Sequence, residues 1–322
     1  MVRRRVAAAV LAVCALTLPG CAARSGGTGG SGGAGGAQPS ARSDTPSPRV
    51  GAYTKVMLVV EENHAYGEVA DSPQAHYLDE LSRTYGAATA YDAGYPGNCP
   101  SLPGYLLLTS GTDHGVCDDD GPDVHRIAGD NLFRQVAASG QEWRVYAQSM
   151  PAPCARQNAG AYLVRHTVVP YYDSERDRCA AWDLPMGTPS AGALHEDVAA
   201  GRLPAFSLVV PDACNDMHGG HGCPDDHLVG RADGWLQQWL PGVLAAPDYR
   251  AGRLVVVITW DESSSHDDNH VPTLVISPTT SHVRDDAPES HCTTLGTVEE
   301  VLHLPALGCA ARVSPSTARF HL

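Results

Sequence analysis

The sequence predicts an α/β domain built on a mostly parallel central sheet. Three observations predict it. Five short apolar runs, residues 56–60, 143–147, 206–210, 254–260 and 273–277, are continuous rather than alternating, and most are rich in β-branched residues. Such runs suit strands buried on both faces. Segments of helical periodicity lie between the runs, the alternation expected of a single α/β domain. Three of the runs also end directly in polar residues, and ligands of open α/β sheets gather at the carboxyl ends of strands.

The first fifty residues read as something other than fold. Residues 1–5 carry three arginines, residues 6–18 are apolar, and Leu18-Pro19-Gly20-Cys21 follows. A basic start, a short apolar core and a small residue before cysteine resemble a bacterial lipoprotein signal, which would be cut before Cys21 and leave that cysteine lipidated. The apolar run is short for a membrane span. Residues 22–52 are rich in Gly, Ser, Ala and Pro, a composition that cannot bury enough surface to fold and acts as a tether. Residues 53–322 remain as one domain of about 270 residues, enough for a large core. The expected location is outside the cytoplasm, at the cell surface or secreted, with the membrane touched only through a lipid on Cys21.

Charge follows the same division. The first fifty residues hold six Arg and one Asp; the remainder holds sixteen Lys and Arg against thirty-five Asp and Glu. A body this acidic is a poor nucleic-acid binder. A phosphate-cleaving site inside it would need local positive charge, which a metal can supply. Beyond Cys14 and Cys21 eight cysteines remain. An even number in an exported chain reads as disulfides. Sequence order pairs neighbours, Cys99–Cys117, Cys154–Cys179, Cys214–Cys223 and Cys292–Cys309, although the count alone leaves the connectivity open. No C-x-x-C occurs, which disfavours a zinc–thiolate site.

Helical patterns cover residues 75–85, where Tyr77, Leu78, Leu81 and Tyr85 share a face, and residues 131–139, 235–244 and 293–304. Residues 154–189 show no clear pattern and read as a disulfide-tied excursion. No internal repeat is present.

The polar strand ends carry the chemistry. Val60 runs into Glu61, Glu62 and Asn63. Trp260 runs into Asp261 and Glu262, with His266, Asp267, Asp268, Asn269 and His270 beyond. Oxygen donors with imidazole suit Mg, Ca, Mn or Zn. A solvated acidic loop accounts for His266, Asp267 and Asp268, whereas Asp261 at a strand end reads as a ligand. Ser101 precedes an apolar stretch of helical character, with Pro103 tolerated in its first turn. A serine there serves as a helix cap, or places its hydroxyl beside a metal where free N–H groups favour phosphate. Val210 leads into Pro211-Asp212-Ala213-Cys214-Asn215-Asp216-Met217-His218, with His221 and His227 after it. This loop reads either as a glycine-rich surface loop or as a rigid imidazole source that binds phosphoryl oxygens or protonates a leaving group. His218 lies closest to the Asn-Asp pair. His291, just before the last helical pattern, is a ligand or phosphate contact if it joins these clusters and a structural histidine if it does not.

The ordered set VVEENHAY, PSLPGYLLLTSG, PDACNDMH, LVVVITWDE, NHVPTLVISP and HCTTLGTVEEVLHLP resembles the bacterial phosphoesterase family, which contains acid phosphatases and phospholipases C and belongs to the alkaline-phosphatase-like superfamily. Among its smaller members the chain is most similar to the secreted acid phosphatases of mycobacteria and relatives. The resemblance implies an α/β/α sandwich with a metal-assisted phosphoester site. It implies Glu62, Asn63, Asp261 and Glu262 as ligands of one or two divalent ions and Ser101 as nucleophile. It places His218 and His291 as catalytic histidines, and Asp216 and His270 at phosphate positions. The chain departs from the family where Gly104 stands in place of a frequent Asn, and where Glu262 replaces the second aspartate of larger relatives. Cys99-Pro100-Ser101-Leu102 departs from the sulfatase signature. The function expected is hydrolysis of a small phosphate monoester through a phosphoserine. The alternatives are a phospholipase C-type diesterase acting on phospholipid, and a non-catalytic metal- or phosphate-binding lipoprotein. Oligomeric state is not legible.

Overall fold

Seven strands of the central sheet run in one direction and one runs against them. The computed structural model describes residues 53–322 apart from 71, 96–97, 225 and 265–268. The signal and tether expected in residues 1–52, Cys21 with them, and His266, Asp267 and Asp268 lie outside the described residues. The strands are β1 (Lys55–Glu61), β2 (Gly86–Ala88), β3 (Tyr91–Asp92), β4 (Trp143–Ala147) and β5 (Asp183–Pro185), followed by β6 (Phe206–Val210), β7 (Leu254–Trp260), β8 (Thr273–Ile276), β9 (Val283–Asp285) and β10 (Glu289–Ser290). The main sheet has the order β5-β4-β6-β1-β7-β8-β2-β9, and β3 pairs with β10 separately. β1 lies between β6 and β7, parallel to both, with Glu61 opposite Trp260. Every residue of β6 and β7 is buried, as is β1 after Lys55, which explains why these segments are continuously apolar.

All five apolar runs form strands at or within a residue of the expected bounds. The run at 273–277 departs from expectation in direction: β8 is antiparallel to both β7 and β2. The connection from β7, residues 261–272, is twelve residues, at the lower limit for a parallel crossover, and its described residues hold no helix. The remaining strands are only two or three residues long and carry no periodic signal.

Helices cover both faces of the sheet. Successive side chains of a strand point to opposite faces. Glu62 meets Tyr105 of the helix Ser101–Ser110, while its neighbour Glu61 feels the charge of Asp233 on the helix Leu228–Leu244. The helix His76–Thr84 shares the second face. Its Tyr77 and Leu78 N–H groups donate to the Asp233 carboxylate at 3.1 and 2.8 Å. This is a cap supplied from another helix. On the first face, every residue of Ser101–Ser110 is buried, and the helix ends at Gly111 in a left-handed cap. It packs on His291–Val301, which starts at Ser290 in a capping-box arrangement with Thr293. The expected helix at 293–304 therefore begins earlier and stops at Val301. The patternless stretch at 154–189 contains short helices, Val164–Thr167 and Arg176–Trp182, as well as β5.

The four disulfides join Cys99–Cys117, Cys154–Cys179, Cys214–Cys223 and Cys292–Cys309. At the far side of the sheet the C-terminal residues pack on β2. A Cβ at Gly86 would lie 2.7 Å from Phe320 Cδ1 and 2.8 Å from Thr280 Cγ2. Gly86→Val is expected to lower stability by about 1–3 kcal/mol through overpacking. Thermal denaturation would read this as a lower midpoint, and an unchanged midpoint would show that the C-terminal residues do not hold this edge.

Candidate active site

Three neighbouring strands, β6, β1 and β7, deliver carboxylates to one place because their carboxyl ends are level. The Glu62 N–H donates to the Asp216 carbonyl at 2.7 Å, and the Asp261 N–H to the Glu61 carbonyl at 3.0 Å. Glu61, Glu62, Asp216, Asp261 and Glu262 are all buried. Asn63 follows with a positive φ, a left-handed conformation that asparagine tolerates. Its N–H donates to Asp261 Oδ1 at 3.2 Å.

Ser101 is the first residue of its helix. Its Oγ–H donates to Glu62 Oε2 at 2.9 Å, and the Tyr105 hydroxyl, one turn on, donates to Glu62 Oε1 at 2.7 Å. The Asn63 side-chain amide lies with one terminal atom 3.0 Å from Glu62 Oε2 and 3.2 Å from Glu262 Oε1. With its nitrogen inward it donates to both. With its oxygen inward three oxygens face one point, as they would around a cation.

Crowding of acids governs the electrostatics. Burial, and then the charges of Glu62 and Glu262, hold the Asp261 carboxyl well above its usual range. Burial and Glu62 do the same to Asp216. Glu262 is pushed up to about 8 by burial, Glu62 and Asp119. Burial also raises Glu62, offset by His218 and Arg165 nearby and by the Tyr105 and Ser101 hydroxyls. Asp216 Oδ2 and Asp261 Oδ2 are buried without a hydrogen-bond partner. Unpaired buried carboxylate oxygens are costly. The chemistry of this donor set, carboxylates and one amide with a buried Asp261 oxygen lacking a partner, suits a hard divalent cation, which Glu62, Asn63, Asp261 and Glu262 would hold.

On the other side of Glu62 stand groups that sequence reasoning missed. His166 is fully buried, stacked on Tyr105 with ring centroids 5.1 Å apart. Its Nε2 is 3.1 Å from Glu62 Oε1 and its Nδ1 is 3.5 Å from Asp216 Oδ2. Neither contact has hydrogen-bond geometry at its buried atoms, and burial with the nearby Arg165 pushes the imidazole well down, so it is neutral and these are not ion pairs. Arg165 Nε lies 3.0 Å from Asp119 Oδ2, while Asp119 Oδ1 accepts from the Leu102 N–H at 3.0 Å. One aspartate thus ties the arginine to the first turn of the serine's helix. Arg165 and His166 come from the stretch without periodicity, and only the presence of two adjacent basic residues there marked them. Asp119 follows Cys117, whose disulfide partner Cys99 stands two residues before Ser101, a signal the sequence did contain.

Ser101, Glu62, Asn63, Asp216, Asp261 and Glu262 therefore meet in one cluster. His218 joins at its edge: its N–H donates to Asp216 Oδ1 at 2.7 Å, its Nδ1–H to the Gly219 carbonyl at 2.9 Å, and its Nε2 accepts from Arg165 Nη2 at 3.1 Å. His291 reaches the cluster only through backbone. Its Nε2–H donates to the Asp261 carbonyl at 2.7 Å, and its Nδ1 accepts from the Tyr91 hydroxyl at 3.0 Å. Both ring nitrogens are committed and burial pushes the group down to about 4, so it has neither a proton to give nor a lone pair for a metal. Its place is behind Asp261, as a support. His270 stacks on Tyr66 with centroids 4.5 Å apart, and its Nε2 lies 3.0 Å from the Thr89 carbonyl, an orientation that does not serve a phosphate at Ser101. Gly104 has a local reason: a Cβ there would lie 2.9 Å from the Asp261 carbonyl oxygen and 3.0 Å from the Tyr95 hydroxyl, leaving no room for the asparagine frequent in relatives.

Comparison with known proteins gives the chain's family and fold. The sequence pattern of the phosphoesterase family matches residues 71–305. A phosphatidylinositol-3-phosphatase of Mycobacterium tuberculosis is 27% identical over 275 residues, covering 82% of each chain. Among solved structures, an alkaline phosphatase superfamily protein of Vibrio parahaemolyticus superposes with a TM-score of 0.56 at 12% identity, over 80% of this chain and 68% of its own. Murine ectonucleotide pyrophosphatase/phosphodiesterase 5 gives a TM-score of 0.51 at 10% identity, over 79% of this chain and 96% of its own. These two share the fold. The chain belongs to the phosphoesterase family and is a hydrolase of phosphoester bonds.

Proposed function

We propose that the protein is an exported phosphomonoesterase in which Ser101 is the nucleophile and carries the phosphoryl group as a phosphoserine. The observation that carries this reading is the Ser101 hydroxyl donating to Glu62 Oε2 at the first residue of a buried helix, among buried carboxylates, two of which have an oxygen without a partner. The relative named as a phosphatidylinositol-3-phosphatase supports a monoester substrate. The four disulfides, together with the signal-like residues 1–21, support an oxidising destination outside the cytoplasm.

A divalent cation held by Glu62, Asn63, Asp261 and Glu262 would neutralise the acids and lower the hydroxyl pKa of Ser101. The chain's own groups do the rest. Ser101 Oγ bonds to phosphorus as its hydrogen passes to Glu62 Oε2. The ester P–O bond breaks, and its oxygen takes a proton from His218 Nε2 when that ring is protonated. Protonation of Nε2 ends its acceptance from Arg165, freeing the guanidinium to bind phosphoryl oxygens. Water then attacks the phosphoserine and gives a proton to His218, while Glu62 returns the hydrogen to Ser101. Ser101 is only 1% exposed, so substrate entry requires side chains around it to move.

Ser101→Ala is expected to abolish turnover of a chromogenic phosphate monoester while leaving the circular dichroism spectrum unchanged; full activity would remove Ser101 as nucleophile. Arg165→Lys, which loses the two-pronged contact, should lower kcat/KM on the monoester by about 10- to 100-fold. An equal effect on a diester would argue against the monoester reading.

Chelation has its own signature. Glu262 rises from 4.5 to about 8 on folding, so between these values the folded chain holds protons that the unfolded chain releases. Stability of chelator-treated protein therefore falls as pH rises from about 5 to about 8. Added divalent cation should restore the thermal midpoint most at the high end of this range. A midpoint insensitive to both pH and cation would count against the cation site.

A further inference from the structure

Met217 sits between two groups of the cluster, Asp216 and His218, and its backbone is strained. Its φ is 77°, in the left-handed region, and the residue is 1% exposed. For a residue with a Cβ this conformation is unfavourable. The turn could have used glycine without that cost, as it does next door at Gly219 and Gly220, both of positive φ. A strained non-glycine residue persists only where its surroundings over-determine it. Here the side chain is the determinant: the Trp260 indole N–H donates to Met217 Sδ at 3.3 Å. Trp260 is fully buried as the last residue of β7, immediately before Asp261. Were the thioether to leave, a buried N–H would lose this partner, at a cost comparable to the strain.

The strained conformation has a product. It folds the chain back so that the His218 N–H reaches Asp216 Oδ1 at 2.7 Å, leaving Asp216 Oδ2 facing His166. The turn is tied down on its other side by the Asn215 and Asp216 N–H groups, which donate to the Asp212 carbonyl, and by the Cys214–Cys223 disulfide. We propose that Met217 is a positioning residue: its thioether, received by the Trp260 indole, latches the Asp216–His218 turn to the end of β7, so that the acids of two strand ends keep one relative geometry. The assignment rests on the proposed function for its catalytic consequence, but the latch itself does not.

The test uses the full chain carrying Met217→Leu, which keeps the bulk and removes the sulfur acceptor. Hydrogen exchange of the His218 amide, read by NMR, should accelerate at least about tenfold, while amides of β1 and β7 exchange as before. On a chromogenic phosphate monoester, kcat should fall about tenfold with KM nearly unchanged, the mark of displaced groups rather than lost binding. Trp260→Phe should give the same two effects, and the double variant should be no worse than either single one. Met217→Gly relieves the strain but loses the anchor, and should also show fast exchange at residue 218. Unchanged exchange at His218 in Met217→Leu would overturn the latch. Accelerated exchange with unchanged kcat, or a lower melting temperature as the sole effect, would overturn its positioning role. If the wild-type chain does not turn over the monoester, the proposed function fails, and the exchange measurement still decides the latch.

Discussion

Mutual repulsion among buried acids is the constraint around which the molecule is built. A parallel sheet brings the ends of β6, β1 and β7 level, with Glu61 and Glu62 at the end of β1, Asp261 and Glu262 directly after β7, and Asp216 in the loop that follows β6. Water would solvate such groups cheaply, but here they are enclosed, and their pKa values rise together. Under the proposed function the same repulsion would favour a small, highly charged cation, because such an ion offsets several acids at once. The surrounding hydroxyls of Ser101 and Tyr105 donate to Glu62, so the proposed nucleophile is held by the carboxylate beside it.

Nitrogen-bearing side chains, one of them an arginine, come from a different part of the chain. The excursion tied by Cys154–Cys179 supplies Arg165 and His166, and Asp119 fixes the arginine to the helix that begins at Ser101. The sheet thus provides the acids and the excursion the bases. This division suits a family whose members differ in substrate, since the loop can change without disturbing the strand ends. His291 illustrates the reverse: a histidine at a helix start, close to the cluster in space, yet turned into a backbone support by a carbonyl and a tyrosine hydroxyl.

What the sequence made legible follows from periodicity. The five long strands could be placed because burial on both faces leaves an uninterrupted apolar record, and the polar residues after three of them were then reasoned candidates. Ser101 was legible only through its order among other motifs, since a serine at a helix start is commonplace. Direction was not legible for β8, whose run looks the same whether it lies parallel or antiparallel. Tyr105 was hidden within an apolar helix, where a tyrosine reads as core. Arg165 and His166 were hidden by the lack of any pattern around them. The orientation of His270 was equally out of reach, because a side chain in a connecting loop can face either way and only its neighbours, Tyr66 and Thr89, decide.

The cross-links share a property with consequences beyond the folded state. Each joins a cysteine to the next one along the chain, over separations of 9 to 25 residues. A chain oxidised progressively from its amino end, each thiol reacting with the first free thiol to appear after it, would arrive at the native connectivity directly. Correct pairing then needs an oxidant but no enzyme to reshuffle wrong bonds, and maturation would depend on supplying electron acceptors rather than on proofreading.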